Sequence, residues 1–207
     1  MTSTHPADPG TDRWHHELQS QVGPLVIVAG AGAIVGLYHA GHAPAPDPVR
    51  LGHRVVADQL GGRGAPPTAE DRAITPPAAT VALLLRADRE LGEYFAGSRR
   101  AFGSPVELHG TTFQLRVWAA LRAIPYGETR SYRDLATRLG NPRMGRAIGA
   151  AVRSNPVSII VPGHRVVGST GAVVGYAAGT ATKTALLELE RAHSAPPDPV
   201  AAADIRP

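Results

Sequence analysis

The 207-residue chain has no cysteine. That absence excludes disulfide bridges, thiolate metal sites and any cysteine nucleophile. No apolar run reaches membrane-spanning length, and the first residues, MTSTHPADPGTDRWHHELQ, lack the charged-then-apolar order of a signal peptide. A cytoplasmic protein with no membrane partner is expected. What is present suffices for a globular fold, since 43% of the residues are apolar and can bury a core. The net charge of +4 and a pI of about 9.9 suit a polyanionic partner without establishing one.

Residues 1–20 and 194–207 are rich in proline, alanine and small polar residues and read as mobile tails. Leu25 to Ala29 and Ala33 to His39 read as two strands joined at Gly30-Ala31-Gly32. No helix and no Lys-Ser/Thr pair follows those glycines, so a hairpin is expected rather than a phosphate loop. Residues 40–79 read as an irregular connection holding a strand or a helix. Beyond it, Leu84, Leu91 and Phe95 fall at helical spacing and Gly97 ends the run. Residues 21–105 are expected to form a small N-terminal α/β domain.

Residues 106–193 carry a different pattern. Phe113, Val117, Leu121 and Ile124 share one helical face, and Pro125-Tyr126-Gly127 breaks it. Ser131 caps the next helix with Asp134 three residues on, and Gly140 ends it. After Asn141-Pro142-Arg143 comes a helix whose Gly145, Ala147, Gly149, Ala150 and Ala151 present a small surface. Two short helices about a tight turn resemble a helix-turn-helix, a geometry that ordinary helical hairpins share. Then Asn155-Pro156 leads into VSIIVPGHRVVGSTGAVVGYAAG, expected to supply a buried strand, a Pro-Gly-His-Arg turn and a Gly-Tyr loop. An amphipathic helix bearing Glu188 and Glu190 closes the pattern; two residues apart, only one of them can face the pocket. By residue type alone, His164 is more often a core or capping residue than a base, Arg146 a solvated helix charge, Tyr132 a core residue and Asn155 a turn former.

GTTFQLRVWAALRAIPYGETRSYRDLA, GRAIGAAVRSNP, IIVPGHRVVGSTGAVVGY and KTALLELE, in this order and spacing, resemble the O6-alkylguanine-DNA alkyltransferase family, the methylated-DNA–protein-cysteine methyltransferases. The resemblance is strong from Leu91 to Arg191; the N-terminal third matches only as GPL and GLYHAG. It implies an α/β (α+β) protein: a small N-terminal domain with an antiparallel sheet, and a mainly helical C-terminal domain with a helix-turn-helix that enters the minor groove. The family's Pro-Cys-His-Arg turn is Pro-Gly-His-Arg here, with Gly163 at the nucleophile's position. By resemblance, His164 is a base acting through water, Glu190 orients it, and Asn155 holds the turn and the purine edge. Tyr132 and Arg146 open the DNA, with Arg165, Gly149 and Ala150 on the DNA-binding surface. Val161, Pro162, Val173, Val174, Tyr176 and Ala177 line the base pocket. Members commonly carry glycine or serine where Ala177 and Ala178 stand, so a donor to the guanine oxygen is lost. The family sometimes holds a structural zinc, but this chain lacks cysteine and its His15, His16, His39 and His42 are loosely arranged. No metal and no cofactor is expected.

Glycine cannot accept an alkyl group, so suicide repair is ruled out. Three readings remain: a monomeric damage sensor that flips and holds alkylated guanine in duplex DNA and signals to other repair proteins; a turnover enzyme using water or an external nucleophile on an alkylated base or small molecule; and a cysteine-to-glycine mutant of an active transferase. The first is expected, because Tyr132, Arg146 and the small-residue helix are all present.

Overall fold

The computed structural model describes residues 13–56 and 74–194. Of the expected tails, residues 1–12 and 195–207 lie outside it, as do residues 57–73 of the irregular connection.

The chain enters as a strand where a tail was expected. β1, Arg13–Leu18, buries Trp14, His16 and Leu18 on one face and leaves Arg13, His15 and Glu17 partly exposed, the period of two that a strand imposes. Its two apolar anchors are interleaved with histidines and a glutamate, which masked the alternation. β2 (Leu25–Gly30) and β3 (Ala33–His39) pair antiparallel, and β2 also pairs antiparallel with β1. The β2–β3 turn is Ala31-Gly32, both left-handed with φ of 50° and 79°, the backbone that matches strand twist in a two-residue hairpin. Within the irregular connection a two-residue β4, His53–Arg54, runs parallel to β1 and gives the order β3-β2-β1-β4.

Helix α1 (Ala78–Phe95) buries Leu84, Ala87, Leu91, Tyr94 and Phe95 and packs on this sheet. α2 (Thr112–Arg122) begins with a capping box between Thr111 and Gln114. β5 (Arg130–Ser131) leads into α3 (Tyr132–Arg138), which Ser131 and Asp134 cap reciprocally. α4 (Gly145–Arg153) follows, and α3 packs against it as the second half of the helix-turn-helix. β6 (Val166–Val167) pairs parallel to β5, and α5 (Gly179–Ala192) closes the chain. The molecule is thus an α+β protein.

An edge strand presents unpaired N–H and C=O groups that need cover. Here the C-terminal half provides it for β3: the Leu37 amide donates to Pro156 O at 2.8 Å and the Ser158 amide to Leu37 O at 2.9 Å, while the Ile34 amide donates to Pro105 O and the Glu107 amide to Ile34 O. One apolar cluster runs from Trp14 and Leu25 through Leu91 and Trp118 to Leu186.

The expected buried strand from Val157 to Val161 is buried but is not a strand. Only Val157 bridges, to Leu37; beyond it Ile160 N–H donates to Ser158 O and Val161 N–H to Val157 O, folding the segment into a turn. Its apex is Ile159 at a φ of 68°. A β-branched residue in the left-handed region is an outlier costing about 1–3 kcal/mol.

Trp118 joins α2 to α4: its ring is 1% exposed and its Nε1–H donates to Ala151 O at 2.8 Å. Trp118→Phe keeps most of the apolar volume and loses that bond. A loss of about 1–2 kcal/mol in urea unfolding is expected; an unchanged midpoint would show that the indole N–H is not what holds the helices in register.

Candidate functional site

The site begins at Asn155, 3% exposed. Its side-chain amide donates to Val161 O at 2.8 Å and its Oδ1 accepts from the Val157 amide at 3.1 Å. One side chain therefore clamps both ends of the turn that carries Ile159. The next step of the chain is a single 3-10 turn, Gly163–Arg165, wholly buried.

At Gly163 a Cβ would stand 3.3 Å from Val152 Cγ1, 3.7 Å from Asn155 Nδ2 and 3.8 Å from Val152 O. The backbone there is not left-handed, so the fold does not require glycine for its conformation. The place of the missing side chain is bounded by a valine methyl and an amide.

His164 is fully buried, and its Nε2 lies 2.8 Å from Glu190 Oε1. Burial pulls this imidazole below the ordinary histidine value, although the hydrogen bond to Glu190 opposes the shift. A neutral ring that donates Nε2–H to the carboxylate has its lone pair on Nδ1, and Nδ1 is buried with no hydrogen-bond partner among the described residues.

Glu190 lies on α5 and is 1% exposed. Besides His164 it accepts from Tyr94 Oη at 2.9 Å, the Gly127 amide at 3.0 Å, and Arg165, whose Nε and Nη2 each reach it at 2.9 Å. Burial alone would raise this carboxyl, but the His164 hydrogen bond and the Arg165 guanidinium outweigh it and hold the pKa down to about 2. Glu188, the other candidate, is exposed.

Arg165 was expected on the DNA-binding surface. It is 6% exposed, and its remaining guanidinium nitrogen donates to Ile124 O at 2.7 Å. The guanidinium is consumed by Glu190 and a backbone carbonyl, so its charge is structural.

Tyr176, partly buried, anchors the loop opposite the turn. Its hydroxyl is 3.0 Å from His39 Nε2, so β3 reaches the site directly. Among the other expected lining residues, Val161, Pro162 and Ala177 are buried, Val173 is half-buried, and Val174 lies at the rim, 43% exposed. Tyr132 Oη donates to Gly175 O at 3.1 Å, and its ring edge would lie 3.9 Å from a Cβ at Gly149. It stands between this loop and α4. On α4, Ile148, Ala151 and Val152 are buried, whereas Arg146, Ala147 and Ala150 are exposed and Gly149 is half-buried.

Three residues escaped the sequence reading. Lys183, fully buried on α5, donates to Val166 O and to Val174 O at 2.6 Å, tying the Tyr176 loop to the strand after the 3-10 turn; burial lowers its pKa to about 8. Tyr94 reads as helix core and His39 as a strand end. A lysine inside an amphipathic helix gave the only signal, and nothing in the sequence shows what Tyr94 and His39 face. Among the described residues no cluster of histidine and carboxylate side chains could hold a metal ion.

A family profile described as 6-O-methylguanine DNA methyltransferase, DNA binding domain, matches residues 112–192. The methylated-DNA–protein-cysteine methyltransferase of Mycolicibacterium paratuberculosis is 50% identical over 105 residues, 51% of this chain and 64% of that protein. The inducible enzyme of the same name from Bacillus subtilis is 50% identical over 109 residues, 53% of this chain and 61% of that protein. The matched stretch spans a little under two thirds of these relatives' length. Among solved structures, Mycobacterium tuberculosis OGT in complex with DNA aligns with a TM-score of 0.71 at 35% identity, over 87% of this chain and 94% of that one. The O6-methylguanine methyltransferase of the same organism aligns at 0.65 and 34% identity, over 92% and 99%.

Two stability outcomes follow from this geometry. Glu190→Gln leaves Arg165 buried without its counter-charge, and a loss of about 3–5 kcal/mol in urea unfolding is expected; a loss under about 1 kcal/mol would mean that solvent reaches the pair. His39 is depressed from 6.5 to about 4, by burial first and then by His42 and His164. The unfolded chain therefore takes up this proton at a higher pH than the folded one, and stability falls as pH drops from about 6.5 to about 4, by up to about 3 kcal/mol. His15 and His42 are lowered as well, so the share of His39 is the difference between wild type and His39→Gln. Equal slopes for the two proteins across that window would refute the assignment.

Proposed function

The chain belongs to the O6-methylguanine DNA methyltransferase family, and on that premise we propose that it binds duplex DNA, draws an O6-alkylated guanine into the space beside Gly163, and holds it there without taking the alkyl group onto itself. The observation that carries this reading is the Pro162-Gly163-His164-Arg165 turn: its supports are complete and only the acceptor atom is missing.

Physical features of the α3–α4 face favour DNA. Between residues 132 and 153 there are five arginines and one acidic residue, an imbalance suited to a phosphate backbone. The exposed side of α4 is small, so its backbone can approach a groove floor closely. Arg146 sits there with no hydrogen bond or ion pair to the described residues, free to fill the gap that an extruded base leaves. Tyr132 has its hydroxyl on the loop carbonyls of Val174 and Gly175, where it can turn toward a phosphate at the pocket mouth. Extrusion is required because the O6 substituent is inaccessible inside the base stack. In this reading Val161, Pro162 and Tyr176 enclose the base, Asn155 fixes the turn against it, and Val173, Val174 and Ala177 shape the entrance. Residues 106–193 act as the DNA-binding unit and the N-terminal sheet as its support. A complex of this kind is a signal to other repair proteins.

Titration of an O6-methylguanine duplex at several salt concentrations tests the reading. Affinity should fall steeply with salt, with a log–log slope of about −0.9 per phosphate contact. Arg146→Ala should weaken lesion binding by about ten-fold while shifting unfolding by less than about 0.5 kcal/mol. A lesion affinity indifferent to salt, or an Arg146→Ala variant that binds like wild type, would sink the proposal.

A further inference from the structure

We propose that the site is a thiol-dependent dealkylase, in which a small thiol from solution occupies the place beside Gly163 and takes the alkyl group from the bound guanine. The inference rests on the reading above that the pocket holds an O6-alkylated guanine, and it adds a reaction to it.

Three observations point there. The first is the room at Gly163, bounded by Val152 Cγ1 and Asn155 Nδ2 at ordinary or slightly tight contact for a first carbon. A first side-chain carbon there meets nothing closer than the Val152 methyl at 3.3 Å, and the chain supplies none. The second is His164 Nδ1, fully buried and without a partner among the described residues. The ring's other nitrogen is fixed on Glu190, so the free lone pair is held in one orientation, as a general base requires. The third is the carboxylate behind it. Glu190 stays ionised and can stabilise an imidazolium the moment it forms. A ring needed only for packing has no use for a charged partner on one nitrogen and an unpaired lone pair on the other.

Sulfur is the chemical class this site suits. An alkyl carbon attached to O6 is attacked by a soft, polarisable nucleophile, and water is a poor one. A thiol also gives up its proton far more readily than water does. The step balances without an oxidant or reductant. The S–H proton passes to His164 Nδ1; the sulfur lone pair forms the S–C bond as the C–O6 bond breaks, leaving its electrons on the purine; His164 returns the proton to the purine at N1. The products are guanine and a free thioether, and the chain is unchanged and ready for another lesion.

The full-length protein is incubated with a molar excess of duplex carrying one O6-methylguanine, alone, with 2-mercaptoethanol, and with the bulkier glutathione. Base composition, thioether and intact-protein mass are read by mass spectrometry, and lesion binding by fluorescence anisotropy in the same samples. The expected result is loss of more lesions than protein molecules, S-methyl-2-mercaptoethanol in equal amount, and a rate about a hundred-fold above that of the thiol without protein. Glutathione should be slower than 2-mercaptoethanol, and Gly163→Val, which fills the place, should lose the thiol-dependent reaction. Should that variant fail to fold, a rate that saturates with thiol concentration in the unaltered protein serves instead, since attack on a merely exposed base rises linearly. Bound lesion with no thioether under any condition overturns the dealkylase and leaves the DNA-binding reading standing. Methanol in place of thioether makes water the nucleophile and overturns it too. No lesion binding overturns both.

Discussion

The carboxylate of Glu190 is the constraint on which the rest of the site depends. It is buried on α5 and gathers donors from α1, from the turn after α2 and from both side chains of the His164-Arg165 pair. A charge in that position is tolerable only because every lone pair is used and a guanidinium balances it. The same five-donor arrangement explains why the helices meet where they do. Moving α5 by one turn would carry the carboxylate away from Tyr94 and leave Arg165 without a counter-charge. The hub is thus structural and electrostatic together, and it sets the orientation of His164 as a by-product of holding the helices.

The second constraint is backbone geometry. Ile159 stands at a φ that an isoleucine avoids, and such strain persists only where the surroundings over-determine it. They do so from two sides: Asn155 spans the turn, and the edge of β3 hydrogen-bonds Pro156 and Ser158. The N-terminal sheet is therefore part of the machinery of the turn rather than an appendage. His39 at the end of β3 extends the same support to Tyr176 across the pocket.

Much of this was legible in the sequence. The strands at Leu25 and Ala33, the capped helix at Ser131 and the small-faced α4 follow from turn chemistry and periodicity, and the pairing of His164 with Glu190 follows from family resemblance. What was not legible shares a physical origin. β1 alternates apolar residues with histidines and a glutamate, so its pattern is too short and too polar to read as a buried strand. Val157 to Val161 is as apolar as a strand, and its own turn hydrogen bonds together with the Asn155 side chain bend it. Arg165 sits on a sequence that reads as surface charge, and its burial depends on a carboxylate twenty-five residues away. Burial of a charge is a property of the pair, and a sequence displays its members singly.

The balance between structure and chemistry at this site turns on His164 rather than on Glu190. Tyr94, Gly127 and Arg165 suffice to account for the carboxylate, since together they satisfy both oxygens and its charge. They do not account for the imidazole. A fully buried ring with one nitrogen unpaired costs about 1–3 kcal/mol relative to a partnered one, and an apolar residue of similar volume would fill the same space without that cost. The glycine beside it has the opposite character: it relieves no backbone strain, and a first side-chain carbon there would meet its nearest neighbour only at 3.3 Å. Optimisation for stability would change both residues. Their combination is intelligible as a binding place for something that is not part of the chain, next in sequence to an imidazole whose Nδ1 has no partner among the described residues.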